Sequence, residues 1–179
     1  MKAQDTRPAW SGQDELYREL TTALGSAVER LARGYEANDT RRQDLVQEIH
    51  VALWRSCAGF DGRCALRTWV YRVAHNVAVS HVLSDRRRAH RLVDLDEIEN
   101  LADPAAPEAR AEQRRDLDRL LDLVRSLMPI DRQVILLYLE GEDAAAIAEV
   151  TGLSASNVAT KIHRIKKVLT SRFRGGPDV

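Results

Sequence analysis

An all-α fold, arranged as two small helical domains joined by an acidic flexible linker, is what this sequence predicts. Apolar residues, mostly Leu, Val, Ala and Ile, recur every three or four positions through most of the chain, which is the period of an amphipathic helix. Aromatics make up only 5% of the 179 residues, with nine Gly and five Pro, which argues against a β-sandwich or a collagen-like chain. One tract, from Asp94 to Asp118, collects nine acids against three bases around Pro104 and Pro107, and it divides the helical pattern in two. A hydrophobic content of 44% is enough for each part to enclose a core.

Residues 1–12 lack the apolar stretch of a secretory signal and read as a loose tail. Leu16, Leu20, Leu24, Ala27, Val28 and Leu31 then place one face of a first helix, Gln13 to Gly34, against a core. A second helix starts after Asp39 or Thr40, either able to cap it, and turns Leu45, Ile49, Ala52 and Leu53 inward before Gly59. A short loop from Phe60 to Cys64 leads to a third helix, with Leu66, Val70, Val73 and Val77 on the core side, running out at Ser84 to Arg88. The first domain is thus expected over 13–93 and the linker over 94–112. In the second domain, 113–174, one stripe of Leu117, Leu120, Leu121, Val124 and Leu127 ends at Pro129, and another runs from Ile130 to Leu139 before Gly141. Residues 175–179 form a short tail, and with no long C-terminal extension no appended sensory domain is expected.

The segment from Ala144 to Ile162 reads as a helix-turn-helix. Ile147 and Val150 face Leu153, Val158 and Ile162; Gly152 supplies a left-handed turn; Ser154 can cap the second helix. With Val158, Ile162, Ile165 and Leu169 inward, Ser156, Asn157, Thr160, Lys161, His163, Arg164 and Lys167 form the candidate duplex-DNA face. It is small and polar at its start and cationic beyond. That order suits a recognition helix, whose first turns reach base edges while later cations meet phosphates. The chain is neutral overall, 27 basic against 27 acidic residues, yet Lys161 to Arg174 contains six bases and no acid. A charged helix face on its own is more often merely solvated; the turn, the cap and the apolar register together favour DNA.

On the third helix, Trp69, Arg72 and Asn76 line up beside the core stripe, with Tyr71 and His75 further out. Together with Phe60, Gly62 and Arg63 in the preceding loop, Trp69, Arg72, His75 and Asn76 offer ring faces, amide groups and cations, as a platform for unpaired bases requires. Between Arg63 and Arg91 seven arginines face one acid, Asp85, so phosphate attraction is at hand. The competing reading makes Trp69 a core residue and Arg86 to Arg88 a solvated terminus. On the second helix Asp44, Gln47, Glu48, Val51 and Trp54 lie away from Leu45 and Ile49, a mixture of apolar anchors and charged rim that suits a protein interface. Packing of Trp54 beneath the first helix is the alternative.

These blocks resemble the extracytoplasmic-function (group 4) sigma factors, small two-domain promoter-specificity subunits of bacterial RNA polymerase. Asp44 to Glu48 with Leu53-Trp54 resembles the family's polymerase-clamp helix, Leu66 to Asn76 its promoter-melting helix, and residues 120–170 its upstream-element reader. The resemblance implies that Asp44, Gln47 and Glu48 dock on the coiled-coil of the largest subunit of core polymerase. It implies that the edge with Trp69, Asn76, Gly62 and Arg63 captures the opened strand of the −10 element, and that the helix from Ala155 reads the −35 element as duplex. Two individually weak anchors, spaced by polymerase, then select a promoter. An anti-sigma factor is the further partner implied, and the chain is expected to be cytoplasmic and a monomer when free. His50 stands where the family commonly has Phe, Ala65 where Ser is frequent, Ser80 where an acid often follows, and Ala144 to Ala146 where aromatic and acidic residues are usual.

Two other classes compete. A LuxR-type helix-turn-helix regulator would leave residues 40–91 unexplained and would be expected to dimerise; a helical interaction protein or anti-regulator would use Val51 and Trp54 without melting DNA. No catalytic residues, cofactor or metal are expected: the five histidines form no HExxH pattern, the cysteines no CxxC, and no phosphate-binding glycine loop is present. A zinc site from Cys57, Cys64, His75 and His81 is poorly supported by spacing. The longest strongly apolar run, Val134 to Leu139, is far too short to span a bilayer.

Overall fold

The computed structural model describes residues 12–89 and 108–174; the expected tails and most of the linker lie outside these. The described residues form seven helices and no strand: α1 Gln13–Tyr35, α2 Asp39–Cys57, α3 Leu66–Ala89, α4 Glu108–Arg125, α5 Pro129–Leu139, α6 Ala144–Thr151 and α7 Ala155–Arg174. In α1 the predicted stripe is buried from Leu16 to Leu31. The cap of α2 is Asn38 rather than Asp39 or Thr40: its side chain accepts from the Arg41 amide at 3.0 Å and satisfies a donor the first turn leaves open. Pro129 opens α5, where a missing amide hydrogen costs nothing. The helix α4 begins at Glu108, five positions ahead of the expected start of the second domain.

The third helix departs from its expected face. Val70 is buried, but so are Tyr71, Ala74, His75 and Ala78, while Leu66, Val73 and Val77 are half-buried. The reason is that α3 packs against α1 and α2 in the front half and also against α5 and α6 of the back half, so a single apolar stripe does not describe it. His75, expected among the strand-binding residues, is enclosed, with Nδ1 hydrogen-bonded to the Tyr35 hydroxyl at 2.8 Å.

The two halves therefore lie against each other, and buried residues of both join in one apolar cluster. A Cβ on Gly34 would come within 2.5 Å of Leu136 Cδ2, so only glycine admits this approach of α1 to α5 without a shift. Next to it the buried Arg132 guanidinium lies 5.3 Å from the Tyr35 ring centre and donates to the carbonyl oxygens of Arg125 and Leu127. Arg125 reaches across to the Arg33 carbonyl at 2.7 Å. Polar contacts extend the seam: Arg30 grips Glu140 with two bonds of 2.8 and 2.7 Å, the Tyr71 hydroxyl donates to Glu140, and Arg67 pairs with Glu142.

Candidate nucleic-acid interfaces

At the C-terminal end, Asp143 caps α6 by accepting from the Ala146 amide at 2.8 Å. The chain then turns at Gly152, whose φ of 74° lies in the left-handed region. Ser154 accepts from the Asn157 amide at 3.3 Å and starts α7, as its sequence position suggested. Val158, Ile165 and Leu169 are buried and Ile162 is half-buried, so the helix is fixed by its apolar side. Ser156, Asn157, Thr160, His163, Arg164 and Lys167 are exposed on the rest of it. Lys161 is the exception: it is half-buried, with Nζ 2.6 Å from Asp131 Oδ1. The other oxygen of Asp131 takes a 3.0 Å bond from Arg164 Nη2. No local pattern flagged Asp131, because its partners lie 30 and 33 residues away.

At the front, the Phe60 and Trp69 rings meet with centres 5.1 Å apart and both remain half-buried, leaving ring surface at the loop end of α3. Gly62, with φ 72°, makes the turn, and the exposed Arg63 pairs with Asp61 at 3.0 Å. Arg72 is exposed, yet its Nη2 donates to the Glu149 carbonyl of α6 at 2.8 Å. Arg67, one of the seven arginines between Arg63 and Arg91, lies under the same back half, with Glu142 and the Glu140 carbonyl as acceptors. The hydrogen bond to Glu142 pushes its guanidinium further toward the charged form. Asn76 is exposed and lines a cleft of about 540 Å³ with Asp44, Glu48, Ser80 and His81. Thus Phe60 and Trp69 come together, with Gly62 and Arg63 in the adjoining loop; Arg72 turns to α6, Asn76 to the cleft beside α2, and His75 is withdrawn from the surface.

The outer side of α2 has the predicted composition. Asp44, Gln47 and Glu48 are exposed, and Val51 and Trp54 keep 47% and 44% of their surface open. Trp54 is not packed beneath α1; its indole Nε1–H donates to Asp14 at 3.0 Å and the ring stays half in solvent. His50 is half-buried and hydrogen-bonded to the Tyr17 hydroxyl at 3.0 Å, and burial lowers its pKa. Among the described residues no group of three or more His, Cys, Asp or Glu side chains is placed to hold a metal ion. No helix among them is long and apolar enough to cross a membrane.

Comparison with known proteins matches residues 20–88 to Sigma-70 region 2 and residues 117–169 to Sigma-70 region 4. Among curated proteins, the RNA polymerase sigma factor CnrH of Cupriavidus metallidurans is 29% identical, covering 91% of this chain and 89% of its own. The sigma factor NccH of Alcaligenes xylosoxydans is 25% identical, covering 92% and 90%. Among solved structures, CnrH in complex with the cytosolic domain of CnrY aligns with a TM-score of 0.64 at 23% identity over 92% of this chain and 91% of that one. RpoE in complex with the anti-sigma factor NepR, from Bartonella quintana, aligns with a TM-score of 0.69 at 16% identity, covering 92% and 99%. These structural likenesses carry the fold.

Proposed function

Since this chain belongs to the extracytoplasmic-function sigma factors and is a promoter-specificity subunit of RNA polymerase, we propose that its two halves divide promoter recognition between melted and duplex DNA. The back half, 113–174, reads the −35 element as duplex through Ser156, Asn157, Thr160, Lys161, His163, Arg164 and Lys167. The front half, 13–93, holds the opened −10 strand at Phe60, Gly62, Arg63, Trp69, Arg72 and Asn76. The α2 face of Asp44, Gln47, Glu48, Val51 and Trp54 docks on the largest subunit of core polymerase. The observation that carries the reading is the α7 face, polar then cationic behind the left-handed Gly152, on one chain with the paired Phe60 and Trp69 rings.

The packed seam adds a requirement. Arg72 and Arg67 are engaged by α6 and by the turn before it, so the halves separate before α3 meets a strand. An anti-sigma factor is the regulating partner of this reading, supported by the neighbouring sigma structure solved with its anti-sigma factor. The LuxR-type alternative is set aside because the region 2 match accounts for the front half that it leaves unexplained.

The test is transcription in vitro from a genomic promoter library with core polymerase, with and without the chain. New start sites that depend on it are expected. Trp54→Ala should reduce them by weakening association with core polymerase, and Trp69→Ala by weakening strand opening while association persists. A reconstituted complex with no new starts overturns the proposal.

A further inference from the structure

Resting on the reading of α7 as the duplex-reading helix, we propose that Asp131 is a positioning residue that aims Arg164 at the DNA and sets the ratio between specific and indiscriminate binding. Asp131 stands in the first turn of α5, its side chain only 15% exposed. It is held by two cations one helical turn apart on α7: Lys161 Nζ at 2.6 Å on Oδ1 and Arg164 Nη2 at 3.0 Å on Oδ2. Arg164 keeps 64% of its side chain in solvent.

Those distances have two physical consequences. A guanidinium is planar, with five donors in a rigid fork, so holding one nitrogen on a fixed carboxylate narrows the orientations open to the rest of the fork. Arg164 is the first exposed Lys or Arg of α7, so it stands where the base-facing polar turns give way to the phosphate-facing cations. A pre-aimed fork there loses less freedom on meeting a base edge than a mobile one, and bidentate Arg contacts are what discriminate between bases. The same carboxylate cancels one of the two charges offered to phosphate. It therefore lowers the affinity for any duplex while sharpening the choice among duplexes. A side chain that only stapled α5 to α7 would have no such opposed effects.

The test uses the full chain bound to core polymerase and two probes: a duplex selected from a randomised pool by the wild-type complex, and a scrambled duplex of equal length. Affinities for both are measured across a salt series for wild type, Asp131→Asn and Asp131→Glu, with circular dichroism to show that each is folded. With Asp131→Asn, binding to the scrambled duplex should tighten and its salt slope steepen by about one phosphate contact, while the selected-to-scrambled ratio falls roughly tenfold. Asp131→Glu should restore most of the ratio. Unchanged slope and ratio in a folded Asp131→Asn chain would reduce the residue to a staple and overturn the proposal. A wild-type complex that prefers no duplex would instead overturn the reading of α7, and this inference with it.

Discussion

Enclosure sets the protonation state of His75. Its Nδ1 shares a hydrogen bond with the Tyr35 hydroxyl and its Nε2 has no partner, so no acceptor is placed for the second proton that a charged ring would carry. Burial disfavours the charged form and brings the pKa down to about 3. Above the ordinary value of about 6.5 the ring is neutral whether the chain is folded or not, and its contribution is complete. As the pH falls below that value, the unfolded chain takes up a proton that the folded one refuses. Stability then declines by up to about 1.4 kcal/mol per pH unit toward the folded value. The urea midpoint should accordingly drop between pH 7.5 and 5.5, where ordinary carboxylates do not titrate. In the double variant Tyr35→Phe/His75→Phe the drop should shrink, the remainder coming from His50, whose pKa burial also lowers; a drop of unchanged size would place the titrating group elsewhere.

At the scale of elements, the angle between α6 and α7 depends on one backbone conformation. A Cβ at Gly152 would meet no atom within 4 Å, so substitution there is opposed by the φ of +74° and not by crowding. Gly152→Ala should cost roughly 1 kcal/mol in denaturant stability, and Gly152→Asn less, because Asn tolerates the left-handed region. Equal costs for the two would point to a steric cause instead. The cap one step further works by another mechanism: Ser154→Ala removes an acceptor for the Asn157 amide and should cost about 1 kcal/mol. Thermal melting of the two single variants separates these contributions, since one acts on the backbone and the other on a hydrogen bond.

For the whole molecule, the seam between halves decides when the front half can meet DNA. Its ion pairs join carboxylates that are mostly covered to arginines about half in solvent, and exposed pairs of this kind contribute about 1 kcal/mol or less each. Close apolar approach at Gly34 and Leu136 is the more sensitive element, because added volume there has no empty space to occupy. Gly34→Leu should wedge the halves apart, enlarging the radius of gyration in small-angle scattering. It should also raise the affinity of the isolated chain for single-stranded DNA severalfold as Arg67 and Arg72 are released. A scattering curve identical to wild type would mean that Leu136 and its neighbours repack around the larger side chain. High salt should act in the same direction as Gly34→Leu, more weakly, by screening the Arg30 and Arg67 pairs.

Short-range pattern determined much of this protein. The three- and four-residue spacing of Leu, Val and Ile marked the helices, and Gly152 and Ser154 marked the turn and cap. The period of α7 separated its buried side from Ser156, Thr160, Arg164 and Lys167, and that of α2 left Val51 and Trp54 outside. These features depend on residues within a few positions of one another, where helix geometry dictates the outcome. Tertiary structure alone decided the rest: the burial of Tyr71 and His75, the engagement of Arg67 and Arg72 by residues more than 70 positions away, the fit of Gly34 to Leu136, and the grip of Lys161 and Arg164 on Asp131. A helix covered on one side announces its face by period, but one covered on two sides does not. Which distant charge meets which is set only when whole helices settle against each other.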